Sequence, residues 1–223
     1  MKAGDPMVGG EGRDGLQRIF DRARALSDKP DTDVHIVELL SVYVKFESQN
    51  GIAWFHFGDA LRNVGRLEEA EEALLKAVDL APKTSRFAVY ARIGMLMAKR
   101  GSPSEAEKWY RVATSEAGCP GWMWCLRGAN LLRTQAYRLA KSCLETALIS
   151  EDVVKEEVYL NLALMERAQR HYEEARKHLN DALAIDPNYD DAKRLLQSLV
   201  DIEKTIEIAA RVAEELTGTQ SRN

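Results

Sequence analysis

The chain has 223 residues, of which 45% are hydrophobic and 30% are charged. These proportions are those of a folded protein and exclude an intrinsically disordered chain. The formal net charge is only −4 at pH 7, which argues against non-specific nucleic-acid binding because that needs a basic excess. No apolar run approaches the roughly 20 residues of a membrane-spanning helix, so we expect no membrane insertion.

The N-terminal segment and the cysteines indicate in which cellular compartment the protein is expected. Residues 1–13 are rich in glycine and lack the apolar core of a secretory signal, so we predict a flexible arm there. Cys119, Cys125 and Cys143 have neither a CxxC pattern nor a Cys/His spacing typical of metal sites. Reduced thiols in a cytoplasmic protein are the simplest interpretation, with a disulfide or a metal site as the alternative.

Residues 14–50 predict a pair of helices. In the first, from Asp14 to Leu26, apolar residues recur at three- and four-residue spacing on one face. Pro30 and its polar neighbours end this helix. A second apolar stretch predicts a helix from Asp33 to Ser48. We interpret the pair as a divergent copy of the repeat that follows it.

Four rows of residues recur with the same spacing along residues 51–189. The first row consists of small residues, and its members are 36, 34 and 35 residues apart: Gly58, Gly94, Gly128 and Ala163. The same three intervals separate the other rows: Ala70, Ala106, Ala140 and Ala175; Leu74, Tyr110, Leu144 and Leu179; Ala77, Ala113, Ala147 and Ala182. Small residues in two rows predict a helical hairpin whose helices approach closely, repeated four times.

With Trp54, Gly58, Ala70 and Pro82 at the matching offsets, this pattern resembles the tetratricopeptide repeat (TPR) family. The resemblance covers about residues 51–189, as units near 51–84, 87–120, 121–154 and 156–189. It implies an all-α fold, a right-handed α-solenoid of TPR helix hairpins. The steps of 36 and 35 place small insertions near residues 83–86 and 153–155.

The turns within the repeats differ in sequence. Gly65 and Gly101 suit the positive φ that ends a first helix, whereas the third and fourth units have Gln135 and Arg170 there. These two turns must therefore tolerate a side chain. The segment from Ser102 to Glu105 matches a capping box with proline at the first helical position.

Residues 190–217 contain neither glycine nor proline, and we predict one C-terminal helix there, followed by a flexible tail over residues 218–223. Its apolar residues alternate in steps of four and three, as in a coiled-coil seam: Leu195, Leu199, Ile202, Ile206, Ala209, Ala213 and Leu216. One interpretation is a helix that caps the last repeat. The alternative is a homodimer through Leu195, Leu199, Ile202, Ile206 and Leu216.

The resemblance also implies a binding surface, because the first helix of each TPR unit lines the concave groove. Carried onto this chain, it predicts partner-binding residues in four groups: Phe55, His56, Asp59, Arg62 and Asn63; Arg92, Met95 and Lys99; Trp122, Cys125, Leu126 and Arg133; Leu160, Asn161, Leu164 and Arg167. These include a basic row (Arg62, Lys99, Arg133, Arg167) above an apolar floor. Alternatively, the C-terminal helix or a neighbouring unit fills the floor and the basic row is merely solvated.

Some members of the family clamp the C-terminal carboxylate of a chaperone peptide with Lys and Asn side chains. This chain has Phe55 and Asp59 at the first-unit positions and Arg92 at the second-unit position. The charge of Asp59 would repel a carboxylate, so we expect no binding of a chaperone tail.

The sequence therefore predicts a non-enzymatic adaptor or scaffold that binds a peptide or helix with acidic flanks in its groove. No motif nominates a catalytic residue, a metal site or a cofactor. The alternatives are a self-associating module that dimerises through its C-terminal helix and a regulatory TPR domain of a larger assembly.

Overall fold

A computed structural model describes the backbone of residues 10–27, 29–116 and 118–220. Within these residues the chain forms eleven α-helices and one 3-10 turn, Lys83–Ser85. The helices are α1 (Gly10–Leu26), α2 (Asp33–Phe46), α3 (Gly51–Asn63), α4 (Leu67–Leu80), α5 (Arg86–Lys99), α6 (Pro103–Ser115), α7 (Gly121–Arg133), α8 (Tyr137–Ile149), α9 (Lys155–Ala168), α10 (Tyr172–Ile185) and α11 (Asp190–Gln220).

The ends of the chain differ from the sequence-based expectations. Helix α1 begins at Gly10, inside the segment 1–13 that was predicted to be an arm, and residues 1–9 lie outside the described residues. Helix α2 ends at Phe46, two residues before Ser48. Helix α11 continues to Gln220, through the first half of the predicted tail. Glycine at position 218 does not end the helix, since one glycine costs a helix only about 1 kcal/mol.

The chain divides into two compact units, Met1–Cys119 and Pro120–Asn223. This division falls at the boundary between the second and third predicted repeats. Unit 1 contains the hairpins α1/α2, α3/α4 and α5/α6. Unit 2 contains the hairpins α7/α8 and α9/α10, followed by α11.

In unit 1, the row of small residues allows the two helices to touch in the hairpins α3/α4 and α5/α6. A Cβ atom on Gly58 would lie 2.7 Å from Cγ of Leu74, and one on Gly94 would lie 2.6 Å from Cε1 of Tyr110. Neither site has room for a side chain, so the rows reflect close packing as predicted. The divergent pair α1/α2 packs in the same unit, where the rings of Phe20 and Tyr43 stack at 5.0 Å.

In unit 2, the same rule holds at Gly128, where a Cβ atom would lie 2.7 Å from Cγ of Leu144. The unit contains a second apolar cluster in which Ala163 and Leu179 pack with Leu195 and Leu199 of α11. Leu199 is fully buried. The first half of α11 therefore caps the last repeat, as one of the two interpretations predicted.

The turns of the third and fourth repeats contain two non-glycine residues with positive φ. Gln135 has φ of 57° and Arg170 has φ of 64°, at the positions where Gly65 and Gly101 stand in unit 1. Helix α6 begins at Pro103 as predicted. The prediction of a capping hydrogen bond from Ser102 is wrong. The Ser102 side chain makes no capping bond, since its ψ of 67° differs from the extended conformation of an N-cap residue.

Candidate functional site

The groove face of α3 in unit 1 is accessible to solvent. Ile52 is 59% exposed, a high value for a large apolar side chain in a folded unit. Phe55, His56 and Asp59 follow it along the same face and are half-buried. An exposed large apolar side chain such as Ile52 marks this face as a candidate binding surface.

A cavity of about 560 Å³ opens between the first turns of α3 and α5. Its walls are mainly apolar, with His56, Asn50, Gln49 and Ser85 as polar members. The full lining is Gln49, Asn50, Gly51, Ile52, Phe55, His56, Leu80, Ala81, Pro82, Ser85, Ala88 and Val89. A cavity of this size and lining suits an apolar side chain that enters from solvent.

Asp59 and two arginines lie beside the cavity. Arg62 donates to Oδ1 of Asp59 from Nη2 at 2.6 Å, and Arg92 donates to Oδ2 from Nε at 3.0 Å. The guanidinium of Arg92 also lies 5.7 Å from the centroid of the Phe55 ring, which lines the cavity. Each oxygen of Asp59 is therefore engaged by an arginine, and Arg92 connects this cluster to the cavity wall.

Lys99 satisfies the C-terminal end of α3. Its Nζ donates to the carbonyl oxygens of Arg62 at 2.7 Å and Asn63 at 3.3 Å. The Arg62 carbonyl also accepts from the backbone N–H of Gly65 at 3.2 Å, and both carbonyls lie at the negative end of the helix dipole. Asn63 in turn donates to Asp33 Oδ1 at 3.0 Å, and Met95 accepts from Arg92 at 3.4 Å. Arg62 and Lys99, the two members of the predicted basic row in unit 1, thus have structural partners.

The cluster still carries more positive than negative charge, because it contains three cations (Arg62, Arg92 and Lys99) and two carboxylates (Asp59 and Asp33). This changes the sequence-based argument about Asp59. Its carboxylate is neutralised by two arginines, so it does not by itself repel an acidic partner. The face therefore runs from an apolar cavity at the start of α3 to a basic region at its end.

Unit 2 presents its predicted residues differently. Trp122, Leu126, Asn161 and Arg167 are half-buried, and Arg133 is exposed. Leu160 and Leu164 are also half-buried, and both pack against the cluster that contains Ala192, Leu195 and Leu199 of α11. These two leucines therefore contribute to the capping contact as well as to the groove face.

Cys125 does not belong to an accessible floor. Its side chain is only 4% exposed and belongs to the core cluster with Leu131 and Leu144. Burial, followed by the nearby charge of Glu157, raises the pKa of the thiol to about 12, while a hydrogen bond from Asn161 to Sγ at 3.7 Å has the opposite effect. The sequence assigned Cys125 to the groove because the first-helix register does not distinguish a core position from a neighbouring surface position.

Several lining residues of the cavity were missing from the predicted site. Ile52 and Ala88 lie on the first helices α3 and α5, Leu80 ends α4, and Pro82 and Ser85 belong to the α4–α5 connection. The 36-residue step between the first two repeats was the available signal, since it places an insertion where the turn Lys83–Ser85 forms. That turn supplies one wall of the cavity.

Neither a metal site nor a membrane span is found in the described part of the chain. No group of three or more His, Cys, Asp and Glu side chains there has a metal-binding arrangement. Among the described helices, none combines the length and the apolar character that crossing a bilayer requires.

The repeated helix hairpins define an all-α repeat solenoid. Profiles described as tetratricopeptide repeat match residues 52–84 and 156–189. A comparison with curated protein sequences gave no match. The chain therefore contains tetratricopeptide repeats in these two segments, in agreement with the resemblance seen in its sequence.

Solved structures share the fold of this chain. A tetratricopeptide repeat protein from Parabacteroides merdae superposes with a TM-score of 0.70 at 19% identity, over 92% of this chain and 80% of that one. MamA from Desulfovibrio magneticus gives 0.66 at 15% identity, over 79% and 98%. YrrB, described as a TPR protein with an unusual peptide-binding site, gives 0.61 at 15% identity, over 82% and 93%. At these identities the likeness concerns the fold.

Proposed function

We propose that this protein is a non-enzymatic adaptor that binds a peptide or helix of another protein on the groove face of α3 and α5. A large apolar side chain of the partner enters the cavity beside Ile52 and Phe55. An acidic side chain that follows it pairs with Arg92 or Arg62. The single observation that carries the proposal is the apolar cavity with an arginine stacked on its wall.

Three further observations support this choice of surface. Ile52 exposes an apolar side chain at the entrance. The net positive charge beside the cavity favours an acidic flank and would raise the association rate. The structural neighbour YrrB is described as having a peptide-binding site. The groove residues of unit 2, among them Trp122 and Leu126, are a second contact region within this proposal.

The partner's sequence preference can be measured without knowing its identity. The full chain would select binders from a random peptide library displayed on phage. We expect enrichment of peptides with a Leu, Ile, Phe or Met and an Asp or Glu within one helical turn of it. Enrichment of basic flanks, or of no apolar residue, would contradict the assignment.

A pair of variants tests the location of the site. Ile52→Glu places a charge at the cavity entrance, in the first turn of α3 where a carboxylate suits the helix dipole, so the variant should fold. Leu75→Glu is the matched control, since Leu75 is 43% exposed on α4 in the same unit and does not line the cavity. Selected peptides should lose at least tenfold in affinity for Ile52→Glu and bind Leu75→Glu as they bind the wild type. Equal binding to all three proteins would place the site elsewhere.

As part of this proposal, the protein is cytoplasmic, has no catalytic role and does not bind nucleic acid. Self-association and membership of a larger assembly remain compatible with it, because the proposed peptide contact uses residues of α3 and α5 and none of α11.

A further inference from the structure

Arg92 keeps unused hydrogen-bond donors beside the cavity. A guanidinium has five N–H donors. Nε of Arg92 donates to Oδ2 of Asp59 at 3.0 Å, and Nη1 donates at 3.4 Å to Sδ of Met95, which is a weak acceptor. The other three N–H groups, one on Nη1 and two on Nη2, have no partner among the residues that the structure describes, and 29% of the side chain is exposed. Arg92 can therefore bind an acceptor from solvent without losing its contact with Asp59.

The other two cations of the cluster are less suited to a partner in the cavity. Arg62 donates to one oxygen of Asp59 from Nε at 3.1 Å and from Nη2 at 2.6 Å, and only 13% of its side chain is exposed. Lys99 donates to the two carbonyls at the end of α3. It also lies seven residues beyond Arg92 on α5, or about 10 Å farther from the cavity along the helix. Arg92 is therefore the member of the cluster that combines nearness to the cavity with available donors.

The distance between Arg92 and the cavity matches one turn of a partner helix. Arg92 follows Ala88, which lines the cavity, by four residues on the same face of α5. Its guanidinium lies 5.7 Å from the centroid of the Phe55 ring, another part of the lining. Side chains three or four residues apart on a helix are separated by a similar distance, about 5–6 Å between Cβ atoms. A helical partner that inserts an apolar anchor side chain therefore brings a residue three or four positions away to Arg92.

We propose that Arg92 is the specificity-determining residue of this site, and that it selects a side-chain carboxylate of Asp or Glu one helical turn from the partner's apolar anchor. The inference rests on the proposed function and names the group that the partner must carry. Hydrogen bonds between a guanidinium and a carboxylate are charge-assisted, so they are stronger than those to a neutral amide. The excess of cations over carboxylates in the cluster favours the same choice.

A double-mutant cycle with the full chain tests the pairing. The tightest-binding library peptide with one acidic residue would be synthesised with an amidated C-terminus, together with a twin that has Gln or Asn at that position. The wild type should bind the acidic peptide at least tenfold more tightly than the twin. Arg92→Gln should bind both peptides with the affinity that the wild type has for the twin, which would also show that its cavity is intact. Arg92→Lys keeps the charge and should retain part of the preference.

Arg100→Gln is the matched control for the loss of charge. Arg100 follows α5 directly, is 25% exposed and pairs with Glu71 of α4. This variant should keep the tenfold preference of the wild type. A preference that survives in Arg92→Gln, or that is absent from the wild type, would overturn the inference.

Moving the acidic residue along the peptide tests the spacing. The affinity should be highest when this residue is three or four positions from the apolar anchor. An optimum seven positions away would indicate pairing with Lys99 and would overturn the assignment to Arg92. Ile52→Glu separates this inference from the proposed function. If that variant binds the peptides as the wild type does, both fail, whereas its loss of binding together with a preference retained by Arg92→Gln overturns this inference alone.

Discussion

Arg92 on α5 donates a hydrogen bond from Nε to Oδ2 of Asp59 on α3, at 3.0 Å. The first helices of two successive repeats are thereby joined on the groove face by an ion pair. Arg62 engages the other oxygen of the same carboxylate at 2.6 Å. Asp59 therefore organises the basic side chains beside the cavity instead of opposing an acidic partner.

The first prediction concerns this cluster. Asp59→Ala should lower the free energy of unfolding by about 1 to 2 kcal/mol, because it removes the acceptor of two charge-assisted hydrogen bonds between partly buried groups. The same variant should bind acidic peptides at least as tightly as the wild type, since the arginines lose their internal counter-charge. Urea denaturation and peptide titration measure the two effects.

Its control is Arg66→Ala, which breaks an exposed ion pair with Glu69. Exposed pairs contribute little to stability, so this variant should unfold at nearly the wild-type midpoint. A large loss for Arg66→Ala with none for Asp59→Ala would contradict the importance of the cluster.

The second prediction concerns the packing of the hairpins. Gly94→Ala should destabilise the protein by about 1 kcal/mol or more, since overpacking costs ~1–3 kcal/mol and outweighs the gain in helix propensity. The new Cβ atom would lie 2.6 Å from Cε1 of the buried Tyr110 ring. Gly15→Ala in α1 has nothing within 4 Å of its Cβ position and should stabilise by up to about 1 kcal/mol. Thermal unfolding of both variants gives the comparison, and the same sign for both would refute the steric explanation.

The third prediction concerns the turn between α7 and α8. Gln135 has φ of 57°, a left-handed conformation that costs a non-glycine residue about 1 kcal/mol. Gln135→Gly should therefore stabilise the protein by about 0.5 kcal/mol after the entropy of glycine is counted. The reverse change, Gly65→Ala at φ of 87° in an open turn, should destabilise it. Guanidinium denaturation curves would show a midpoint shift of opposite sign for the two variants.

The fourth prediction concerns thiol reactivity. Because only the thiolate reacts, a pKa of about 12 for Cys125 leaves roughly one thiolate in ten thousand at pH 8. Alkylation of the native protein with iodoacetamide should modify the half-buried Cys119 well before Cys125, and raising the pH from 8 to 9 should increase the slow Cys125 reaction about tenfold. Peptide mapping by mass spectrometry follows each site. Equal rates for the two cysteines in the native protein would show that Cys125 is accessible.

The sequence predicts the hairpins well because close packing restricts composition. Gly58, Gly94 and Gly128 contact large side chains of the second helix at distances that no Cβ could occupy, so these positions tolerate only small residues. A packing requirement of that kind produces a regular pattern in the sequence. The division into two units has no corresponding sequence pattern, because the row of small residues continues unchanged across Cys119 and Pro120.

The candidate site was only partly predictable. The resemblance assigned Phe55, His56 and Arg92 to the groove face, and the structure brings the three together beside one cavity. The resemblance could not reveal that Leu80, Pro82 and Ser85 also line the cavity, because they belong to the end of α4 and to a connection whose path depends on the packing of α4 against α5. Nor could it separate the buried Cys125 from its accessible neighbours.

The sequence by itself determined the all-α repeat architecture, the positions of the turns and the long final helix, because periodic burial dictates residue type at fixed intervals. Only the tertiary structure decided which charged groups pair, as Asp59 does with two arginines, and where an apolar side chain can enter. It also decided that α11 buries Leu195 and Leu199 while exposing Ile206, although all three belong to one continuous stripe. The physical reason is length: the helix is longer than the repeat beneath it, and a pattern along one helix does not record where its neighbour ends.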